Sequence, residues 1–423
     1  MKLLAISSLF LLSAAAPSKR KRQNPPNQSV VLLTPTQFID RHTSNVIGSS
    51  GPFRTDTSGF FNPTNTTPPF FQIFDRAFLD ILGPSPSVRL IGSNESFAFA
   101  HEAPIWIPET GEVWFCSDEG GGRAIHSDVN TNNVVSRIKM EEVRGGGDVT
   151  LDPSIQITNG ATNYKGQILL VNDGRGNLPP NVILVNPRPP FNSTVLLDNF
   201  FGRQFNSLND VKIHPTSKKV FFTDKTTGWL NHFRPLPDFP DMVYRFDPDT
   251  GDVRVVADGF ISSNGIAFTD DGKTVYIGDS ALGGGFLGSN STLPATIYQF
   301  DVDPTSEAFT NRRVFAYVDT GIPDGIQLDK KGNVYSGCGD GVNVCCFFLV
   351  LPILSTSHLL VLTTPRQVWN PTGTLLGKIF LGDSSSNMIF AEAGELVVLS
   401  DSNLFFAKIK AEGQDLHGRG LSV

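Results

Sequence analysis

Cysteine is scarce: there are four in 423 residues, two of them adjacent at Cys345 and Cys346. That excludes a disulfide framework as the source of stability. The other two, Cys116 and Cys338, are either linked to each other or simply buried. Methionine also numbers four and charged residues make up only 18% of the chain, which excludes a coiled coil, a helical bundle and a disordered polymer. The Cys and His spacing of a zinc site is absent. Basic charge is in short supply. Lys and Arg number 34 against 41 Asp and Glu, a net −7; without the first 22 residues and their five basic side chains the balance is 29 − 41 = −12. No electrostatic footprint for nucleic acid remains. What is plentiful is Gly (40), Pro (29) and Phe (33), the mixture of turn formers and strand-favouring aromatics expected of a strand-rich globular protein.

The N-terminus reads as an address. Met1-Lys2, an apolar run and the small residues Ala14 to Ala16 have the form of a secretory signal, assigned to residues 1–16. Lys19-Arg20-Lys21-Arg22 follows, and behind a signal it reads as a dibasic processing site closing a propeptide at 17–22. Five sequons, at Asn27, Asn65, Asn94, Asn192 and Asn290, agree with a secreted, extracellular glycoprotein. Residues 23–89, rich in Pro, Thr and Phe, form a lead-in expected to pack on the main domain.

From residue 90 a unit recurs: a short strand, a turn of the type Asp/Asn-x-x-Gly, and an alternating apolar strand. The copies are IPETGEVWFCSD, NYKGQILLVND, HPTSKKVFFTD, TDDGKTVYIGD, DKKGNVYSGCGD and AEAGELVVLSD. The first apolar residues after the turns are Val113, Ile168, Val220, Val275, Val334 and Leu396, with intervals of 55, 52, 55, 59 and 62. A blade of four short strands needs roughly 40–50 residues or somewhat more, so six units give an all-β, six-bladed β-propeller over residues 90–423. A β-sandwich with irregular hairpins would not need equal spacing.

A second regularity runs in phase with the first. Seven to nine residues before each turn position stands a polar side chain: Glu102, Asn159, Asn209, Asn264, Asp324 and Asn387. Asn-Gly and Asp-Gly pairs commonly do no more than close tight turns, but a turn has no use for Glu in one of six equivalent slots. In a propeller the innermost strands line a central channel, so these side chains converge on the axis. Carboxylates and amide carbonyls are hard oxygen donors and suit Ca²⁺, which accepts six to eight oxygens in flexible geometry. Glu102 and Asp324 supply −2, and Asn209 and Asn264 neutral donors. Incomplete coordination would leave room for water and a substrate carbonyl.

The segments HEAPIW (101–106), FNSLND (205–210), FTD (222–224), ADGFISSNGIAFTDDGKTVYIGDS (257–280) and IPDG (322–325) resemble the senescence-marker-protein/gluconolactonase family, and more closely its secreted fungal lactonohydrolase branch, over roughly residues 90 to 410. The resemblance implies a divalent-metal lactonase. It assigns metal binding to Glu102, Asn264 and Asp324, with Asn209 as a further ligand or substrate contact and Asp324 also as the base that activates water. Asn159 and Asn387 complete the ring as substrate contacts. Where some relatives carry Arg ahead of the Asn-Asp pair, this chain has Ser207. His101 is either a proton shuttle or a packed, hydrogen-bonded residue, and strand alternation points it away from its neighbour's face. Asp210 and Asp224 either support the ligands from behind or cap strand ends. The expected activity opens a small-molecule lactone to its hydroxy acid with Ca²⁺ as cofactor and no nucleic-acid or membrane partner. The alternative is a non-catalytic secreted propeller that binds a ligand or protein in its metal-stabilised channel. A strictosidine-synthase-like condensing propeller would instead need a deep acid in an apolar pocket, and none stands out.

One stretch interrupts the repeat. Deleting residues 344–367 joins CGDGVN to VWNPTGTLLGKI, the strand, turn and strand of the other blades. Val codons begin with GT and Gln can be CAG, so the piece reads as an unspliced intron. A transmembrane span is the other reading of this apolar run, although Pro352 and the polar residues 355–358 sit in its middle.

Overall fold

The computed structural model describes residues 34–49, 51, 53–56, 59–118, 128–145, 158–345 and 373–419. The proposed signal and propeptide, Asn27, Cys346 and residues 346–367 of the interrupting stretch lie outside them.

Six sheets, antiparallel but for one added edge strand, are arranged as six blades in a ring, a six-bladed β-propeller. Their innermost strands are Glu102–Ile107, Gly160–Tyr164, Leu208–Ile213, Ser263–Phe268, Ile326–Leu328 and Asn387–Phe390, which number the blades 1 to 6. Each touches the next, and the last touches the first. Blades 2, 3 and 4 are four-stranded meanders; blade 1 has three strands among the described residues. The turns after the innermost strands place Gly111, Gly166, Gly272, Gly332 and Gly394 at positive φ; in blade 3, which lacks the glycine, Lys218 takes that conformation (φ 61°).

Apolar residues on both faces of each sheet fill the space between blades. Six hydrophobic clusters sit one at each blade interface, among them Phe205, Leu208 and Phe222 between blades 2 and 3, and Phe221, Phe268 and Val275 between blades 3 and 4. Burying such a side chain contributes about 1.5–3 kcal/mol, and a strand buried on both faces loses its polar-apolar alternation.

The segment ahead of the repeat supplies strands to two blades. Phe70–Ile73 pairs antiparallel with Leu375–Phe380 of blade 5 and receives Thr36–Phe38 in parallel, so this sheet has six strands. Ser87–Ser93 is the outermost strand of blade 6, paired with Asn403–Lys408. It closes the ring with N-terminal chain, presenting Val88 to the core between blades 5 and 6 and Ile91 to that between blades 6 and 1. The expected boundary at residue 90 therefore cuts a strand, because closure needs the whole apolar run.

Cys116 and Cys338 are buried in the non-adjacent blades 1 and 5; the Cys116 thiol donates to the carbonyl of Thr158 at 2.7 Å, and Cys338 is a free thiol. Of the sequons, Asn65, Asn192 and Asn290 are exposed and Asn94 is half-buried. No helix among the described residues is long and apolar enough to cross a membrane.

In blade 5 the strand Gly341–Cys345 pairs with Leu375–Phe380, Val344 opposite Gly377 and Cys345 opposite Leu375. The interrupting stretch is thus inserted between two strands that already pair. A chain lacking residues 344–367 is expected to fold, with Val368 and Trp369 taking the register of Val344 and Cys345, and to melt no lower than the full chain while aggregating less. Thermal unfolding and light scattering of the two forms check this.

Candidate metal centre

The innermost strands of blades 1, 3 and 4 begin in bulges, with register shifts between Glu102 and Ile105, Leu208 and Val211, and Ser263 and Ile266. A bulge re-aims a side chain that regular pleating would send elsewhere. Here the bulges coincide with Glu102, Asn209 and Asn264, which line a cleft of about 240 Å³ at the hub together with His101, Asn159 and Asp324. One ligand atom each from His101, Glu102 and Asp324 lies within 4.8 Å of the others. Glu102, Asn159, Asn209 and Asn264 are buried, and His101 and Asp324 are partly buried.

The glycines beside these residues serve close approach more than turning. A Cβ on Gly265 would sit 2.3 Å from the Asp324 carbonyl oxygen, and one on Gly325 would lie 2.1 Å from the Asn387 side chain. Neither glycine has positive φ. The hub is crowded enough that neighbouring blades meet backbone to backbone there.

Hydrogen bonds tie each blade to the next around this hub. Ala103 N–H donates to the Asn159 carbonyl, Asn209 Nδ2 to Asn159 Oδ1 (2.9 Å), and Ile266 N–H to Asp210 Oδ2. Ser280 Oγ donates to the Pro323 carbonyl, Gly325 N–H to that of Ser386, and Ser386 Oγ to that of His101. The amide nitrogens of Asn209 and Asn264 are engaged by Asn159 Oδ1 and Ser280 Oγ, which leaves their oxygens as the ends suited to a cation.

Burial raises the Glu102 carboxyl well above the usual range, and the Asp324 charge beside it adds to the effect; burial raises Asp324 too, against the opposing pull of Lys225 and His101. Among the described residues no Lys or Arg is in ion-pair contact with either carboxylate. Two carboxylates buried side by side are costly unless a cation lies between them. With two amide oxygens adjoining, the donor set fits a hard divalent ion.

His101 departs from the alternation expected of it. It precedes the strand that begins at Glu102, and Ala103 at φ 54° breaks the pleat, so both side chains reach the cleft. Burial disfavours its charged form, but Asp118, the hydrogen bond from Nδ1 to Asp401 (2.6 Å) and Glu102 outweigh that and hold its pKa well above the usual value.

Asn387 is not on the cleft wall as a substrate contact. Its Nδ2 donates to Glu102 Oε2 at 2.8 Å and its Oδ1 accepts from Met388 N–H, so it holds Glu102 in place. Asn159 does line the cleft, yet it also fixes Asn209 and is itself bound to Asp173. Asp210 turns to Lys212 (2.7 Å) and to Ile266 N–H, joining blades 3 and 4. Asp224 accepts the backbone N–H groups of Asn206 and Ser207, clamping the loop that delivers Asn209.

Several lining residues escaped the sequence reading: Asp118, Lys225, Asn231, Ser280 and Ile322. A signal existed for three of them. Each repeat copy ends in Asp, at 118, 173, 224, 279, 340 and 401; Asp118 is one of these, and Lys225 and Ser280 each follow one directly.

The sequence profile of the SMP-30/gluconolactonase/LRE-like region matches residues 100–348, more than half of the chain. Lactonohydrolase oryL of Aspergillus oryzae is 30% identical over 286 residues, 62% of this chain and 62% of its own; the chain thus spans about three fifths of that relative's length. Among solved structures, a gluconolactonase from Xanthomonas campestris shares 21% identity with a TM-score of 0.57 over 80% of this chain and 93% of its own. Regucalcin of Agrobacterium tumefaciens, a calcium-binding protein, shares 14% with a TM-score of 0.51 over 78% and 95%. At these identities the structural likeness is one of fold.

Two tests follow from this geometry. Gly325→Ala displaces Asn387 from Glu102 without touching a ligand, and is expected to weaken Ca²⁺ binding by about tenfold or more, as measured by calorimetric titration. The Asp224 carboxyl, raised by burial to about 8 from 3.8, keeps in the folded state a proton that the unfolded chain releases. Its contribution to stability is complete below pH 3.8 and is lost as pH rises through about 8. Asp224→Asn should therefore flatten the decline in denaturation midpoint across this window, while lowering stability at acid pH because an amide nitrogen cannot accept from a backbone N–H.

Proposed function

The chain belongs to the SMP-30/gluconolactonase/LRE-like family, and from that premise we propose that it is a secreted, calcium-dependent lactonohydrolase that opens a lactone to its hydroxy acid. The observation that carries this reading is the meeting of Glu102 and Asp324, 222 residues apart in sequence, with His101 in one hub cleft. The names of the relatives support lactone hydrolysis, and the donor chemistry favours calcium.

Glu102, Asp324, Asn209 and Asn264 would hold the ion. When bound, Ca²⁺ supplies a Lewis acid that polarises the lactone carbonyl and favours ionisation of water. Asp324 takes the proton from the attacking water. Asn387 keeps Glu102, and Asn159 keeps Asn209, in one rotamer, so the cleft does not reorganise as charge develops on the carbonyl oxygen. His101, held protonated between Asp118 and Asp401, can give a proton to the alkoxide released when the ring opens. Secretion accords with the N-terminal signal and with the exposed sequons, and would place the protein where calcium is abundant.

Asp324→Ala is expected to abolish turnover and weaken calcium binding together; retained lactonase activity would remove it from both roles. Hydrolysis of simple aldono- or aromatic lactones at pH 7 should be lost with a chelator and restored by excess Ca²⁺. Hydrolysis that survives chelation overturns the metal-dependent reading, and ligand binding with no turnover on any lactone would favour the non-catalytic one.

A further inference from the structure

We propose that Lys225 forms an anion-recognising corner of the hub cleft, so that the preferred substrate is a lactone bearing a carboxylate. The inference rests on the lactonase reading of the same cleft. Lys225 directly follows Asp224 at the end of the second strand of blade 3 and lines the cleft beside Asn209, Asn231, Asn264 and Asp324. Its backbone N–H is fixed to the Ser207 carbonyl at 3.0 Å, and the residue is only 7% exposed. Among the described residues its ammonium makes no hydrogen bond and no ion pair. It acts through space on Asp324 and Asp241 and is in contact with neither.

The side chain is buried along its length, and an ammonium in a cleft wall that has no protein acceptor is open to a ligand that supplies one. The carboxylates of Glu102 and Asp324 match a divalent ion, and Asp118, a further carboxylate on the wall, faces His101 at 3.6 Å. Among the described residues no other Lys or Arg lines the cleft. Ser207 does not replace it: this side chain is buried, accepting from Gly228 N–H and donating to the Asn206 carbonyl, and it is absent from the wall. A carboxylate on the lactone ring is the substituent that offers Lys225 this acceptor.

The test compares γ-butyrolactone with 5-oxotetrahydrofuran-2-carboxylate on the calcium-loaded protein, and measures binding of the ring-opened diacid, 2-hydroxyglutarate, by calorimetry. The wild type should favour the carboxylate-bearing lactone in kcat/KM by about ten- to hundredfold, the range of a hydrogen bond to a charged group. Lys225→Met should collapse that ratio, mainly through KM, and weaken diacid binding by a similar factor; Lys225→Arg should restore most of both. Lys225→Gln serves if the Met variant does not fold. A wild type indifferent to the carboxylate, a ratio unchanged in the Met variant, or an Arg variant no better than Met overturns the proposal. If the wild type hydrolyses neither lactone, the calorimetry alone decides the anion corner. Diacid affinity lost with Met and regained with Arg sustains the corner, and affinity unchanged by the substitution overturns it.

Discussion

Two carboxylates held together in a buried hub are the constraint around which this molecule is organised. Glu102 and Asp324 repel each other, and burial raises both pKa values, so the hub is an electrostatic liability unless a cation occupies it. Neighbouring polar groups hold the donor set in place. Asn387 bonds Glu102, Asn159 bonds Asn209, and Ser280 bonds Asn264. Glu102, Asn209 and Asn264 are thus each braced by a neighbouring side chain. Preorganisation of this kind lets an electrostatic site act without rearranging.

The same bonds close the ring. Around the hub each blade donates to or accepts from the next, and the crowding that makes this possible excludes even a Cβ at Gly265 and Gly325. Site and scaffold are therefore one layer of structure. A change that loosens the blade joints also loosens the ligand positions, and the outer strand Ser87–Ser93, far from the chemistry, contributes by keeping the ring shut.

Repetition supplied six equivalent positions that have diverged in use. The six aspartates that close the second-strand segments share a place in the repeat but not a role. Asp224 and Asp279 accept backbone N–H groups of the loops leading to Asn209 and Asn264, Asp401 holds His101, and Asp340 is buried against Lys378. The residues that follow them diverge as well, and at position 225 the divergence places a lysine in the cleft.

The repeat, its period near 55 residues and the in-phase polar ring were all legible in the sequence, because strands and turns are local and leave periodic marks. Glu102, Asn209, Asn264 and Asp324 could be named for the same reason. What local pattern does not encode is direction: only the bulges and the left-handed Ala103 decide that His101 faces the cleft, and only the contact with Glu102 shows Asn387 to be a brace. Lys225 stood unremarked beside a conspicuous Asp, since nothing in one chain says that a lysine after a strand will be buried without a partner. The strands given by residues 36–38, 70–73 and 87–93 were hidden likewise, since a pairing that joins the two ends of a chain leaves no period to count. The sequence by itself determined how many blades there are and which oxygens meet at their centre; the tertiary structure decided which way each side chain faces and what it touches, because those depend on contacts between residues hundreds of positions apart.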